Sequence, residues 1–539
     1  MNTTTTSSLT FLLLVLFSCS PAAYGDGRRL FLDCLSQKLH NYSSISNNIV
    51  FTRNNPSYTS ILQFSIRNPR FASESNHKPF AIITPQHESQ IPPVIYCAKS
   101  SDIEIRTRSG GHDFEGLSYV AQLPFVIVDL INLSEITVDV KKKTAWVGAG
   151  ATIGALYYRI AEKSPVLGFP AGFCPTVGAG GHFSGGGWGL MMRKYGLAAD
   201  NVVDARIADV SGRILDRMSM GEDLFWAIRG GGGASFGVIT AWKVQLVDVP
   251  ETVTVFTVSR TLEQNANQLI HRWQYVAPNI HKDLFLGITI SRVNSNASGH
   301  GGRIMTINAS FFSQFLGGAS RLLALMQEHF PELGLKREDC IEMSWIQSVL
   351  YADGIPTESP PQILLNRTQP NIAFFKGKPD YVENLISEKE FEGVWQYFYE
   401  DEGASAFVLM VPYGGRMAEI PDSAIPYPHR KGNLYTFGSL VVWQEEEDSE
   451  RYIGWIRRLF DHMTPYASKN PRGAYVNYRD LDIGVNNVDG KTSYAKASVW
   501  GKKYFKDNFD RLVRVKTMVD ADDFFRNEQS IPPIISKKA

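Results

Sequence analysis

Two side chains invite a chemical reading together. His112 sits in the glycine-rich run RTRSGGHDFEG (106–116), and Cys174 lies near the start of GFCPTVGAGGHFSGGGWG (172–189). Imidazole and thiolate are both nucleophiles, and glycine beside them removes the Cβ atoms that would keep backbone away from a flat or charged ligand. A third cluster, IRGGGGASFG, spans 228–237. Singly, such runs read as tight turns, a lone histidine after two glycines as a turn residue, and a lone thiol in a secreted chain as half of a disulfide. Three clusters, each beside a strand-like segment, read instead as backbone N–H groups lining one elongated ligand. A dinucleotide with a pyrophosphate suits that lining, and an electrophilic ring such as isoalloxazine suits a thiol and an imidazole together. Both common nucleotide cradles are absent. Gly178 and Gly180 are followed by Phe183 where G-x-G-x-x-G needs its last glycine, and GVNNVDGKT (484–492) separates its glycines by five residues, one too many for a phosphate loop.

The elements that must hold these loops follow from hydrophobic patterning. From about 80 to 247, short β-rich segments (FAIITP, IEIRTRSGG, FVIVDLINL, ITVDV, TAWVGAGAT, NVVDARIADV, GVITAWKVQLV) alternate with glycine turns. Helix is expected over IGALYYRIAEK (153–163) and in part of HESQIPPVIYCAKSS, while the KKK run (141–143) reads as a solvated hairpin tip. From 248 longer alternating strands interleave with amphipathic helices. In ERYIGWIRRLFDHMTPY, for example, Ile453, Ile456, Leu459, Phe460 and Met463 recur at three and four. The fold class is therefore α+β. The expected layout is a signal peptide at 1–25, a cofactor-binding domain at 26–247 with its core at about 78–247, and a substrate domain at 248–465 built on an antiparallel sheet with helices on one side. A segment at 466–530 folds back on the first domain, and a tail occupies 531–539.

The 539 residues carry 54 Lys and Arg against 54 Asp and Glu, and no long basic run. That balance argues against nucleic acid and a membrane surface as partners. LTFLLLVLF (9–17) followed by SCSPAAYG reads as a secretory h-region with cleavage near Ala23 or Gly25, too short to span a bilayer. Removing it takes Cys19 and leaves Cys34, Cys97, Cys174 and Cys340, which read either as two disulfides or as a Cys34–Cys97 pair with Cys174 kept for chemistry. Sequons at Asn41, Asn296, Asn308 and Asn366 fit a secreted glycoprotein, whereas the sequon at Asn132 lies in an apolar, strand-like run and is the least suited to a glycan.

Several stretches carry a family resemblance: RSGGHDFEGLSY, GFCPTVGAGGHFSGGGWG, YGLAADNVVDA, DLFWAIRGGGGASFGVIT, PYGGRM, PHRKGNLY and NPRGAYVNYRDLDIG. Over about residues 28–530 the chain resembles the berberine bridge enzyme-like flavoproteins of plants, within the vanillyl-alcohol-oxidase flavin fold. The resemblance implies FAD tethered twice, by His112 to the 8α-methyl and by Cys174 to C6. It implies that Arg108, Ser109, Gly110, Gly111, Asp113, Gly178, Gly181, His182, Gly185, Gly186, Val238 and Asn477 bind the cofactor, and that Cys34 and Cys97 form the disulfide. Val177 matches the position that gates oxygen, where valine marks oxidases, so O2 is the expected acceptor and hydrogen peroxide the product. Two tethers should raise the flavin potential and favour hydride acceptance.

The same resemblance places Tyr478 at the catalytic tyrosine, a role as base that needs its pKa lowered by a cation or by hydrogen bonds. Thr436 stands where many relatives have Glu or Gln, Thr289 where many have His or another polar residue, and Trp188 where many have Tyr or Phe. Threonine is a poor base. The favoured reading is thus a secreted or vacuolar FAD oxidase of specialised metabolism that dehydrogenates or cyclises an aromatic or prenylated small molecule, acting as a monomer. The alternatives are a carbohydrate or monolignol oxidase, and a pericyclic cyclase that holds FAD without net redox chemistry.

Overall fold

A computed structural model describes residues 21–39, 49–295, 305–369, 372–488 and 492–534. The signal-peptide expectation for residues 1–20 and the sequons at Asn41 and Asn296 lie outside the described residues. A helix, Pro21–Leu39, runs through the expected cleavage positions and packs Phe31 and Leu35 into the main core. It is fastened by Cys34, disulfide-bonded to Cys97 in the helix Ile91–Ser100. Cys174 and Cys340 are free, which removes the two-disulfide alternative.

Three sheets follow in order. The first, β1 (Val50–Thr52), β2 (Ala81–Ile83), β4 (Phe125–Asp129) and β3 (Glu104–Arg108), has parallel β2–β4 and β4–β3 pairs. The second is antiparallel, ordered β5 (Ile136–Asp139), β6 (Thr144–Gly148), β10 (Val238–Gln245), β8 (Val202–Ala208) and β9 (Ile214–Leu215). The lysine run forms the β5–β6 turn, as its charge implied. The short strands β7 (Leu167–Gly168) and β11 (Val247–Asp248) pair beside it. The run FVIVDLINL is strand only to Asp129. There the Asp129 carboxylate accepts from Ile131 N–H at 3.1 Å and starts a single turn of 3-10 helix, Leu130–Asn132, so Asn132 is an exposed turn residue rather than a strand residue.

The third sheet is wholly antiparallel, ordered β15 (Ile341–Met343), β12 (Val253–Thr261), β14 (Met305–Phe315), β13 (Leu284–Asn294), β17 (Ala406–Pro412), β18 (Tyr435–Trp443) and β16 (Phe374–Val382). Its strands obey the twofold side-chain alternation. On β18, Tyr435, Phe437, Val441 and Trp443 enter a core shared with the helices Ala266–Val276, Ala319–His329, Glu388–Tyr399 and Ser449–His462. The alternate residues Thr436, Gly438 and Leu440 are half-buried on the opposite face. The helix Ser449–His462 buries Ile453, Ile456 and Leu459 as its spacing predicts. The final helices, Tyr494–Phe505 and Asn508–Val519, put Trp500, Phe509 and Leu512 into the same core as Val147 and Trp242 of the second sheet. Of the described sequons, Asn366 is exposed, while Asn308 is half-buried in β14, between β12 and β13.

Candidate functional site

The two glycine loops that carry His112 and Cys174 touch backbone to backbone. A Cβ on Gly110 would come within 2.4 Å of the Gly178 nitrogen, and one on Gly178 within 2.1 Å of Ser109 Oγ. Gly111 has φ +73°, and a Cβ there would meet the Ser65 carbonyl oxygen at 1.8 Å, so only glycine fits. Ser109 Oγ donates to the Ala149 carbonyl at 2.6 Å, which ties the loop to the end of β6. His112 Nε2 shares a hydrogen bond with Thr176 Oγ1 at 3.0 Å across the two loops. Burial, reinforced by the Arg67 charge, lowers the His112 pKa to about 3, so the ring is neutral and nucleophilic. Cys174 is exposed, with protein packed around its sulfur. That enclosure pushes its thiol up to about 12, with the Asp353 carboxylate adding to the shift. Around Gly181 a Cβ would find no atom within 4 Å. A glycine-lined cradle with a neutral imidazole and a free thiol at its rim fits FAD, whose pyrophosphate can take backbone N–H groups and whose ring can take the two nucleophiles.

The third sheet supplies the facing wall. Thr289 on β13 lies opposite Leu409 on β17, which lies opposite Gly438 on β18; Thr436 lies opposite Val411. On this face the rungs through Phe285, Thr289, Leu409, Thr436, Gly438 and Pro379 carry no charged side chain. Among the described residues, no other protein group bonds the Thr289 or Thr436 hydroxyl. Trp188 lies parallel to Phe285 (6.5 Å, 6°) and edge-on to Phe173 (5.8 Å, 68°). Its indole Nε1 donates to Tyr478 Oη at 3.0 Å. The Tyr478 ring stacks on Phe114 at 5.0 Å and 10°. Burial pushes the Tyr478 pKa above its ordinary value, Tyr475 adds to the rise, and the Trp188 bond only partly opposes it. The condition for a tyrosinate base, a nearby cation or several donating bonds, is therefore not met.

Several residues that the resemblance names as cofactor-binding also have protein partners. Arg108 is fully buried, its guanidinium donating to Asp129 Oδ2 (3.0 and 2.6 Å) and to the Leu62 and Ile61 carbonyls, so it supports the loop from behind. The Asp113 carboxylate is engaged by Arg479 Nε (3.1 Å) and by the Glu115 and Leu117 amides. Asn477 Nδ2 donates to the His182 carbonyl and to Tyr475 Oη, and a Cβ on Gly185 would strike the Asn477 side chain at 2.0 Å. Gly186 faces Tyr427 and Leu197, and Val238 is buried at the start of β10. His182 stays beside the cradle: its Nε2 accepts from Gly172 N–H at 3.0 Å, and burial lowers its pKa to about 4. Val177 is half-buried between Cys174 and Gly178.

Sequence reasoning missed Phe114, Phe285 and the buried lysines Lys376 and Lys378. The aromatic residues carry no signal beyond hydrophobicity. The lysines do: in FFKGKPDYV two ammonium groups alternate into a strand too apolar to solvate them, which marks a buried ion network. Lys376 Nζ donates to Glu115 and Asp480, and Lys378 Nζ to Asp480 (2.6 Å), with Asp482 at 2.8 Å.

With this geometry, comparison with known proteins is direct. The FAD binding domain family matches residues 79–217, and the family described as "Berberine and berberine like" matches 474–532. The tetrahydroberberine oxidase of Berberis wilsoniae is 50% identical over 99% of this chain and 98% of its own. The structure of BBE-like #28 from Arabidopsis thaliana superposes with a TM-score of 0.87 at 47% identity, covering 94% of this chain and 100% of that one. Wild-type Phl p 4.0202, described as a glucose dehydrogenase, superposes at 0.88 with 42% identity and the same coverage, and an isoleucine-to-valine variant of Phl p 4 is described as a glucose oxidase. Such identity along the whole length, on a fold whose glycine cradle suits FAD, places this chain in the berberine bridge enzyme-like family of FAD-linked oxidoreductases.

Proposed function

We propose that the protein is an oxidase that removes a hydride from a flat, largely apolar aromatic substrate and passes the electrons to O2, releasing hydrogen peroxide. The observation that carries this reading is the facing wall. Among the described residues it offers aromatic rings and hydroxyl groups but no charged base, and the Tyr478 phenol keeps its proton. Sugar or primary-alcohol oxidation needs a hydroxyl proton removed alongside the hydride. A C–H bond beside the nitrogen of an aromatic-fused tertiary amine needs no such base, because the nitrogen lone pair forms C=N⁺ as the hydride leaves. The kinship with a tetrahydroberberine oxidase supports that substrate class.

FAD, when bound, supplies the hydride acceptor and the route to O2. His112 Nδ1 and Cys174 Sγ are the groups placed to tether it, with Ser109, Gly110, Gly111, Gly178, Gly181 and His182 along it. Trp188 and Phe285 offer their parallel faces to the substrate. Tyr478 accepts from Trp188 and retains its own O–H to donate to a polar atom of the substrate, orienting the reacting carbon. Val177 supports oxygen as acceptor, since in Phl p 4 an isoleucine-to-valine variant is a glucose oxidase where the wild type is a glucose dehydrogenase. The Cys34–Cys97 disulfide supports synthesis in the secretory pathway.

Two measurements test the reading. The purified yellow protein is expected to release peroxide in air, and to bleach without air, with a cyclic tertiary amine of the tetrahydroisoquinoline type. Peroxide only with glucose, cellobiose or coniferyl alcohol would overturn it in favour of a sugar or monolignol oxidase. Turnover without bleaching would instead indicate a cyclase.

A further inference from the structure

Residues 112–115 and 478–482 run against each other, and consecutive side chains cross-link them. The Asp113 carboxylate accepts from Arg479 Nε at 3.1 Å. The Phe114 ring lies flat on Tyr478. Glu115 and Asp480 share one ammonium, Lys376 Nζ, which donates to Glu115 Oε1 and, at 2.8 Å, to Asp480 Oδ1. Lys376 is 3% exposed and stands on β16, an edge strand of the third sheet. Among the described residues no backbone hydrogen bond joins 109–116 to 474–484, so side chains alone set the distance between them. Lys378, two residues along the same strand face, reaches Asp480 and Asp482 but nothing in the His112 loop.

We propose that Lys376 is a positioning residue: its buried ammonium ties the loop bearing His112 to the segment bearing Tyr478, so that the flavin anchor and the substrate-facing hydroxyl keep a fixed mutual geometry. The chemistry requires this, because displacements of about 1 Å between reacting groups lower rates steeply. A buried ammonium between two carboxylates suits the task. Without it Glu115 would keep the 3.7 Å pair with Arg70 and Asp480 the 2.6 Å pair with Lys378, but neither of those pairs joins the two loops, so Lys376 is the ammonium whose loss would uncouple them. Lysine also reaches both acids from a third element, which makes the sheet carrying the substrate wall the common reference for both loops. The proposal rests on the reading of His112 as anchor and Tyr478 as substrate-facing.

Hydrogen–deuterium exchange of the purified yellow holoenzyme tests the tie without any substrate, and mass mapping of the His112 peptide tests the anchor separately. Lys376→Met is expected to speed exchange by about threefold or more in both 109–117 and 474–484. It should also leave a smaller fraction of the His112 peptide carrying FAD mass than in the wild type. Lys378→Met should speed exchange only in 474–484, and Lys376→Arg should restore the FAD-bearing fraction. Acceleration in one segment alone, an identical pattern in Lys378→Met, or no change would overturn the proposal. If Lys376→Met does not fold, Glu115→Gln takes its place. It is expected to loosen both segments, and acceleration confined to 109–117 would count against the tie. A wild-type His112 peptide free of FAD mass would sink the anchor reading alone, leaving the exchange result to decide the tie.

Discussion

Tyr478 keeps its proton because burial outweighs the single N–H donated by Trp188, and among the described residues no cation stands near enough to reverse the balance. Substrate orientation then depends on a neutral phenol. Tyr478→Phe is expected to lower kcat/KM by about tenfold, the scale of one lost neutral hydrogen bond. The wild-type pH profile should show no rising limb from a tyrosine between about pH 7 and 9, and steady-state kinetics across that range check both. His182 and His429 act through stability instead. Burial holds them neutral, with pKa values lowered to about 4 and about 3. A histidine whose folded pKa is depressed contributes its full stability above the unfolded pKa of about 6.5 and loses it as pH falls, by up to about 1.4 kcal/mol per pH unit each. Thermal midpoints should therefore fall steadily from about pH 6.5 towards 4, and more shallowly in His429→Phe. At the covalent links, Cys174→Ala should keep its yellow colour after acid precipitation through His112. The double variant His112→Ala, Cys174→Ala should lose it to the supernatant.

Elements hold these residues by a few buried charge pairs rather than by many surface ones. Arg430, in the loop before β18, grips Asp200 in the turn after the glycine loop through two hydrogen bonds of 2.8 and 2.7 Å, and the Arg430 side chain is wholly buried. Replacing Asp200 with Ala strands the guanidinium, at a cost of about 3 kcal/mol. The expected result is a lower urea midpoint with an unchanged slope. Aromatic hydroxyls fill the same junction: Tyr427 Oη bonds both Tyr413 and Tyr381, the latter at 2.9 Å, and a Cβ on Gly186 would press on the Tyr427 ring. Much of this level was legible. Alternation predicted β18 and β13, and the three-and-four spacing predicted the helix Ser449–His462, because each buries one face. The FVIVDLINL strand ended early because a short-range carboxylate cap, invisible to periodicity, competes with the ladder at Asp129.

Over the whole molecule, chain ends and distant loops are fastened to one core. The Cys34–Cys97 bond closes a separation of 63 residues between the first helix and the first sheet's helix. The loop-closure estimate for that length is about 4 kcal/mol, so Cys34→Ser should lower the thermal midpoint and make it insensitive to reductant. Cys34→Ser unfolding at an unchanged temperature would contradict this. The terminal helices likewise complete the main core.

Hydrophobic patterning and glycine spacing determined, from sequence alone, the α+β class and a dinucleotide-type cofactor. These are properties of local chemistry and of periodic burial, which neighbouring residues write directly. Which protein groups the candidate residues engage was decided by tertiary structure. Arg108 and Asp113 look like ligand residues in the chain, yet their charges are consumed by Asp129 and Arg479, partners 21 and 366 positions away. The state of Tyr478 was settled in the same way, since a phenol's pKa depends on how much protein surrounds it and on which charges face it, and neither is local in sequence.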